Sequence, residues 1–139
     1  MNISEIAKRS GLSSKMIRDY EKIGLIPAAG RSELGYRQYQ EKDLDTLMFI
    51  KHARDVDFSL AQIKTLLQLK HNPQRTSAQV KQLVAEHIAT LQKKISRLQS
   101  MTATLQSWHD CCQGNDDPEC AIIEQLSENT VTVKTTCHE

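Results

Sequence analysis

No run of 18 apolar residues occurs in the 139-residue chain, which excludes an ordinary membrane-spanning helix. The opening stretch MNISEIAKRSGLSS also lacks the long apolar segment of a secretory signal. Together these absences predict a soluble, cytoplasmic protein with no membrane partner, in a compartment where thiols stay reduced. The length allows one compact domain, or a small domain plus an extension, and disfavours a large substrate-enclosing enzyme. Strong overall charge is missing too, since 18 Lys and Arg face 17 Asp and Glu for a net charge of +1. That near-neutrality hides an asymmetry. Residues 1–75 hold 13 basic against 9 acidic residues, or +4, and residues 76–139 hold 5 against 8, or −3. A weakly basic front and an acidic back suggest a polyanion-binding head joined to a differently employed tail.

In ISEIAKRSGLSSKMIRDYEKIGLI, Ile3, Ile6 and Ala7 recur at helical spacing until Gly11 stops them. Ser13 or Ser14 can cap a second helix with Met16, Ile17 and Tyr20 on its apolar face, and Gly24 ends it. Two short helices around a glycine-containing turn match either a plain helical hairpin or a helix-turn-helix, whose second helix enters the major groove. The next stretch, GRSELGYRQYQ, favours the second reading. Gly35 before Tyr36, Arg37, Gln38 and Tyr39 predicts a small β-hairpin with Arg31 and Arg37 beside aromatic rings. Such a wing offers arginines and tyrosine hydroxyls to phosphates, although Tyr36 and Tyr39 are equally suited to packing the hairpin onto the helices.

Leu44, Leu47, Met48 and Ile50 mark a third helix. Ser59 and Gln62 match a capping box for a fourth, whose apolar face is Leu60, Ile63, Leu66 and Leu67. Pro73 breaks the pattern. From Thr76 to His109 there is no glycine or proline, and Val84, Ile88, Leu91, Ile95, Leu98, Thr102, Leu105 and His109 are spaced alternately by four and three. This heptad seam favours a two-stranded coiled coil. A helix of about 34 residues is about 50 Å long, more than a small head can cover, so a homodimer is expected.

In WHDCCQGNDDPECAII, Cys112 and Cys120 bracket a turn set by Gly114 and Pro118, and AIIEQL can form a short helix. Cys120 then sits near a helix N-terminus, which stabilises a thiolate, while Asp116, Asp117 and Glu119 oppose its ionisation. Two thiolates suit a soft ion. A closed zinc site needs four N or S ligands. Reaching four would require Cys111 and His109 to turn inward, yet adjacent cysteines on a helix project about 100° apart. The loop therefore favours a two-coordinate monovalent ion such as Cu(I), with zinc left open by spacing alone. One net negative charge would remain for a nearby cation or hydrogen-bond donor to offset.

The start MNIS, the RDYEKIGLI end of the second helix, the wing RSELGYRQY, the NPQR before the long helix and the C-x7-C-x-I-I-E after it occur in an order that resembles the MerR family of transcriptional regulators, within it the copper-efflux type, over about residues 1–126. The resemblance implies a mainly α fold. It comprises a winged helix-turn-helix DNA-binding domain (1–75), a long dimerisation helix pairing as an antiparallel coiled coil (76–109), a metal-binding loop with a short helix (110–126), and a flexible tail (127–139) that includes Cys137 and His138. It implies a homodimer on double-stranded promoter DNA, bound with and without metal. The metal form distorts the DNA so that RNA polymerase, an indirect partner, finds its two promoter elements aligned. Carried over by position, Lys15, Arg18 and Tyr20 from the second helix, with Arg31, Tyr36 and Arg37 from the wing, are expected DNA contacts. Val84, Ile88, Leu91, Ile95, Leu98 and Leu105 are the expected dimer seam, and Cys112 and Cys120 the metal ligands.

The family's divalent sensors carry a cysteine where this chain has Ser77, and its monovalent sensors a serine. Ser77 and Cys112 are 35 residues apart, about 52 Å of helix, so they meet only across an antiparallel pair. Lys81, one turn on, is the candidate for offsetting the residual charge. The expected signal is Cu(I), with Ag(I) and Au(I) as mimics. Cys111 beside Cys112 resembles gold- and zinc-responsive members, so a divalent sensor is one alternative, and a Cys112–Cys120 thiol redox switch is another. No carboxylate is clearly placed as a general base beside an open metal position, and the chain is not expected to be an enzyme.

Overall fold

The computed structural model describes residues 1–112, 114–115 and 120–127. The chain forms two compact units, Met1–Val80 and Lys81–Glu139. Within the first, α1 (Ile3–Ser10) and α2 (Ser14–Lys22) are followed by a hairpin of β1 (Gly30–Arg31) and β2 (Arg37–Gln38), then by α3 (Glu41–Asp55) and α4 (Leu60–Lys70). α5 (Ser77–Cys111) is the long helix, and α6 (Ala121–Ser127) the short one.

Local chemistry sets the helix ends. The Asn2 side chain accepts the Glu5 N–H at 2.8 Å to open α1, and Ser13, rather than Ser14, accepts the Met16 N–H at 3.1 Å to open α2. Gly11 takes a left-handed φ of 73° and donates to the Ala7 carbonyl, ending α1. Glycine suits this left-handed position best. A Cβ there would lie 2.5 Å from Lys51 Nζ, which itself donates to the Ser10 carbonyl at 3.4 Å. Gly24, with φ of 82°, lets the Leu25 N–H reach back to the Tyr20 carbonyl at 2.9 Å and turns the chain toward the wing. The Ser59–Gln62 capping box forms as the sequence predicts, with bonds of 2.8 and 3.1 Å. A second reciprocal pair, Thr76 and Gln79, opens α5 with bonds of 2.9 and 3.3 Å.

α1 packs on α2 and α3, and α3 on α4. Ile6, Ile17, Leu47, Ile50 and Ile63 are fully buried at the centre of this unit. Tyr39 joins them at 3 % exposure, whereas Tyr36 stands out at 68 %, so the wing has one tyrosine for packing and one for the surface. Met16, expected on the apolar face of α2, is instead 41 % exposed, and Ile17 and Tyr20 are the residues that α2 buries.

The second unit is built on α5, whose 35 residues contain no helix breaker. Val84, Ile88, Ile95, Leu98 and Leu105 are 40–58 % exposed along it, and Leu91 is half-buried. A helix in water buries its apolar stripe against something, which makes this seam a candidate interface. No helix among the described residues is long and apolar enough to cross a membrane. The expected flexible tail lies outside the described residues apart from Ser127, as do Asp116, Asp117, Pro118, Glu119, Cys137 and His138.

Candidate functional site

Two groups of side chains carry chemistry, one in each unit. In the first, Ser13 and Gly11 fix a three-residue turn between α1 and α2, which presents Lys15 and Arg18 on the exposed side of α2. Arg18 Nε donates to the Ser14 carbonyl at 3.3 Å, which steadies the guanidinium along the helix while leaving it exposed. Tyr20, placed with them by resemblance, belongs to the core at 6 % exposure. It supports α2 from behind and does not stand beside the two cations.

The wing turns over Ser32–Gly35. The Gly35 N–H donates to the Ser32 carbonyl at 2.9 Å, the Tyr36 N–H to Ser32 Oγ at 3.1 Å, and Gly35 supplies the φ of 82° that this turn requires. Arg31 faces Arg37 across the strand pair. Arg31 donates to the Gly35 carbonyl at 3.3 Å and remains exposed. Arg37 is half-buried, with Nη1 3.7 Å from Glu21 Oε2. An open cleft of about 880 Å³ runs between the first residues of α1 and the wing, lined by Asn2, Ser4, Arg31 and Tyr36 among others. Exposed cations on a helix and a hairpin of one unit form a surface suited to a polyanion. Sequence reasoning missed Glu21, the acidic residue that several wing groups share. Its signal was faint: a carboxylate near the end of a basic helix with no partner in its own segment.

In the second unit, Cys112 directly follows α5, and its N–H bonds back to the Trp108 and His109 carbonyls at 3.1 and 3.3 Å. Cys120 directly precedes α6, and its carbonyl accepts the Glu124 N–H at 3.1 Å. The two sulfurs lie 3.6 Å apart and both thiols are free and half-buried. The backbone N–H of Ile123, then the Cys112 thiol and the Ile122 N–H, pull the Cys120 thiol below its ordinary value of 9.0, against burial and the Glu124 carboxylate. The N-terminus of α6 thus acts on Cys120 in the direction the sequence predicts. His109 is exposed and sits 3.3 Å from Asp110 Oδ1. Cys111 is not among the free thiols. Among the described residues no group of three or more His, Cys, Asp or Glu could hold a metal. Ser77 and Lys81 are exposed on the first two turns of α5.

A helix-turn-helix carrying a two-stranded wing, followed by a long helix with an open apolar seam, defines a DNA-binding regulator. The comparison with known proteins gives the family. The model for MerR helix-turn-helix regulatory proteins matches residues 1–70, and the MerR DNA-binding model matches residues 44–108. The chain belongs to the MerR family. It is therefore a transcriptional regulator and not an enzyme, and regulators of this family act on DNA as dimers. It is 59 % identical to a probable heavy metal-dependent transcriptional regulator of Haemophilus influenzae, over 91 % of this chain and 99 % of that protein. It is 44 % identical to the regulator CueR of Salmonella typhi, over 91 % of this chain and 92 % of the relative. Among solved structures, the lead(II) complex of PbrR691 from Ralstonia metallidurans CH34 matches with a TM-score of 0.77 and 33 % identity, covering 91 % of this chain and 99 % of that one.

Proposed function

We propose that this protein is a metal-responsive activator that binds promoter DNA as a homodimer through residues 1–75 and switches transcription on when Cu(I), or its mimics Ag(I) and Au(I), binds Cys112 and Cys120. The observation that carries the proposal is the free thiol pair at 3.6 Å. Two sulfurs without a third described donor suit a soft monovalent ion better than one demanding four ligands. The heavy metal-dependent relative and CueR support the metal and copper readings in turn.

In this reading α5 pairs antiparallel through Val84, Ile88, Leu91, Ile95, Leu98 and Leu105. That brings Ser77 and Lys81 of the second copy to the residue 110–126 loop, where the lysine offsets the residual negative charge. Lys15, Arg18, Arg31, Tyr36 and Arg37 contact DNA, and metal-induced distortion aligns the promoter for RNA polymerase. The lead(II) complex of PbrR691 supports a divalent reading of the same scaffold, and the sulfur contact itself supports a Cys112–Cys120 disulfide switch.

In vitro transcription from the promoter the protein binds, under reducing conditions, separates the three. Titration with buffered Cu(I), Ag(I), Au(I) and Zn(II) should activate with the monovalent ions alone. Cys112→Ser or Cys120→Ser should abolish that activation while leaving DNA affinity nearly unchanged. Activation by Zn(II) would establish the divalent reading, and activation by a thiol oxidant with metals chelated would establish the redox reading.

A further inference from the structure

Glu21 lies in the last turn of α2, near the cations of the helix that reads DNA, and it faces the wing. Its Oε1 accepts the Ala29 N–H at 2.8 Å, and its Oε2 accepts the Tyr39 hydroxyl at 3.1 Å. Arg37 Nη1 stands 3.7 Å from the same Oε2, with the two side chains 30 % and 12 % exposed. These partners bracket the wing: Ala29 precedes β1, Arg37 is in β2, and Tyr39 follows it. A two-residue strand pair is marginal by itself, so this carboxylate is the main polar tether between wing and recognition helix. Arg37 Nη1 is buried and has no hydrogen bond among the described residues, so Glu21 Oε2, which also accepts the Tyr39 hydroxyl, is the anionic group that faces it, while Tyr39 itself also interacts with the Arg37 guanidinium.

We infer that Glu21 is a positioning residue of the DNA interface: it fixes the wing to the recognition helix and aims Arg37 at the phosphate backbone. The inference rests on the reading that Arg37 contacts DNA. Simple charge counting makes the opposite prediction, that an acidic residue near DNA repels it and its removal tightens binding. The carboxylate is largely buried, however, and already faces a guanidinium and two hydrogen-bond donors, so little of its charge reaches the DNA. Neutralising it releases the tether and leaves Arg37 without its orienting partner.

The test measures affinity by fluorescence anisotropy over a KCl series, using the full chain and a 40-bp duplex that the unsubstituted protein recovers from a random-sequence library. Glu21→Gln should weaken binding on the order of tenfold, the lower end for a charged hydrogen-bonded contact. It should also flatten the salt dependence as much as Arg37→Ala does, by about 0.9 per lost phosphate contact. The double variant should lose less than the sum of the two single losses, because the Arg37 contact is counted in both, and Glu21→Asp should fall between the native protein and Glu21→Gln. A partly unfolded variant loses affinity equally at every salt concentration, so the slope separates positioning from simple destabilisation. Unchanged or tighter binding by Glu21→Gln with the native slope, while Arg37→Ala loses slope, overturns the inference and leaves the wing reading intact. A native slope in Arg37→Ala overturns both.

Discussion

Ile95 lies in the middle of the exposed seam, and its truncation tests whether that seam is a dimer interface. The side chain is 54 % exposed in the single chain. Fully burying an isoleucine contributes about 1.5–3 kcal/mol, so the half still facing water can add about 0.8–1.6 kcal/mol on association. A two-fold interface carries the substitution twice, which raises the loss to about 1.6–3.2 kcal/mol per dimer. At about 1.4 kcal/mol per tenfold, Ile95→Ala should raise the dimer dissociation constant roughly 15- to 200-fold. Alanine favours helix more than isoleucine does, so circular dichroism should show undiminished helix and isolate the effect to association. Sedimentation velocity over a dilution series measures the constant. A change of less than about threefold, or a native protein that stays monomeric throughout, would refute the interface.

Arg18→Ala should lower the slope of log affinity against log salt by about 0.9 per protomer, since a lost phosphate contact releases one counterion fewer; an unchanged slope would place Arg18 off the DNA. Gly11→Ala should cost about 1–2 kcal/mol in urea unfolding for the left-handed backbone, with the flexible end of Lys51 moving aside; native stability would mean that the turn rearranges freely. Burial first, and then the Glu21 carboxylate, raise the Tyr39 hydroxyl above its ordinary 10.0. The unfolded chain therefore releases this proton first, and the associated stability is complete below about pH 10 and lost as pH rises through the folded value. Ultraviolet titration of the native protein should show a tyrosine step above the ordinary range that Tyr39→Phe removes; a titration left unchanged by Tyr39→Phe would contradict the buried contact.

What could be read from the residues alone was whatever closes within a turn or repeats. The Ser59–Gln62 box, the Ser13 cap and the Gly11 stop are contacts between residues three or four apart, so spacing reveals them. The seam from Val84 to Leu105 repeats often enough to give the helix, and the same spacing puts Val84, Ile88, Ile95, Leu98 and Leu105 on one exposed stripe. Glu21 escaped because its partners Ala29, Arg37 and Tyr39 lie 8, 16 and 18 residues further on, where only the fold brings them near. Tyr20 and Met16 show a different limit. Helical spacing put both on one face, but α2 buries Ile17 and Tyr20 and leaves Met16 outside. The thiol pair was legible as two residues on a short turn. Its 3.6 Å separation was not, because that depends on where two helices end.

Those two helix ends give the sulfur pair a property beyond affinity. Each sulfur hangs by a single rotatable bond from a residue whose backbone is already held, Cys112 by the last carbonyls of α5 and Cys120 by the first turn of α6. The distance between the sulfurs therefore cannot change much without rotating a cysteine side chain or moving a helix end. On the proposed reading, in which an ion bridging Cys112 and Cys120 is the signal, an ion that fits the pair without shifting α6 would occupy it without activating. Occupancy and efficacy would then be separable, as for partial agonists at a receptor, and such an ion would act as a competitive antagonist of the activating one.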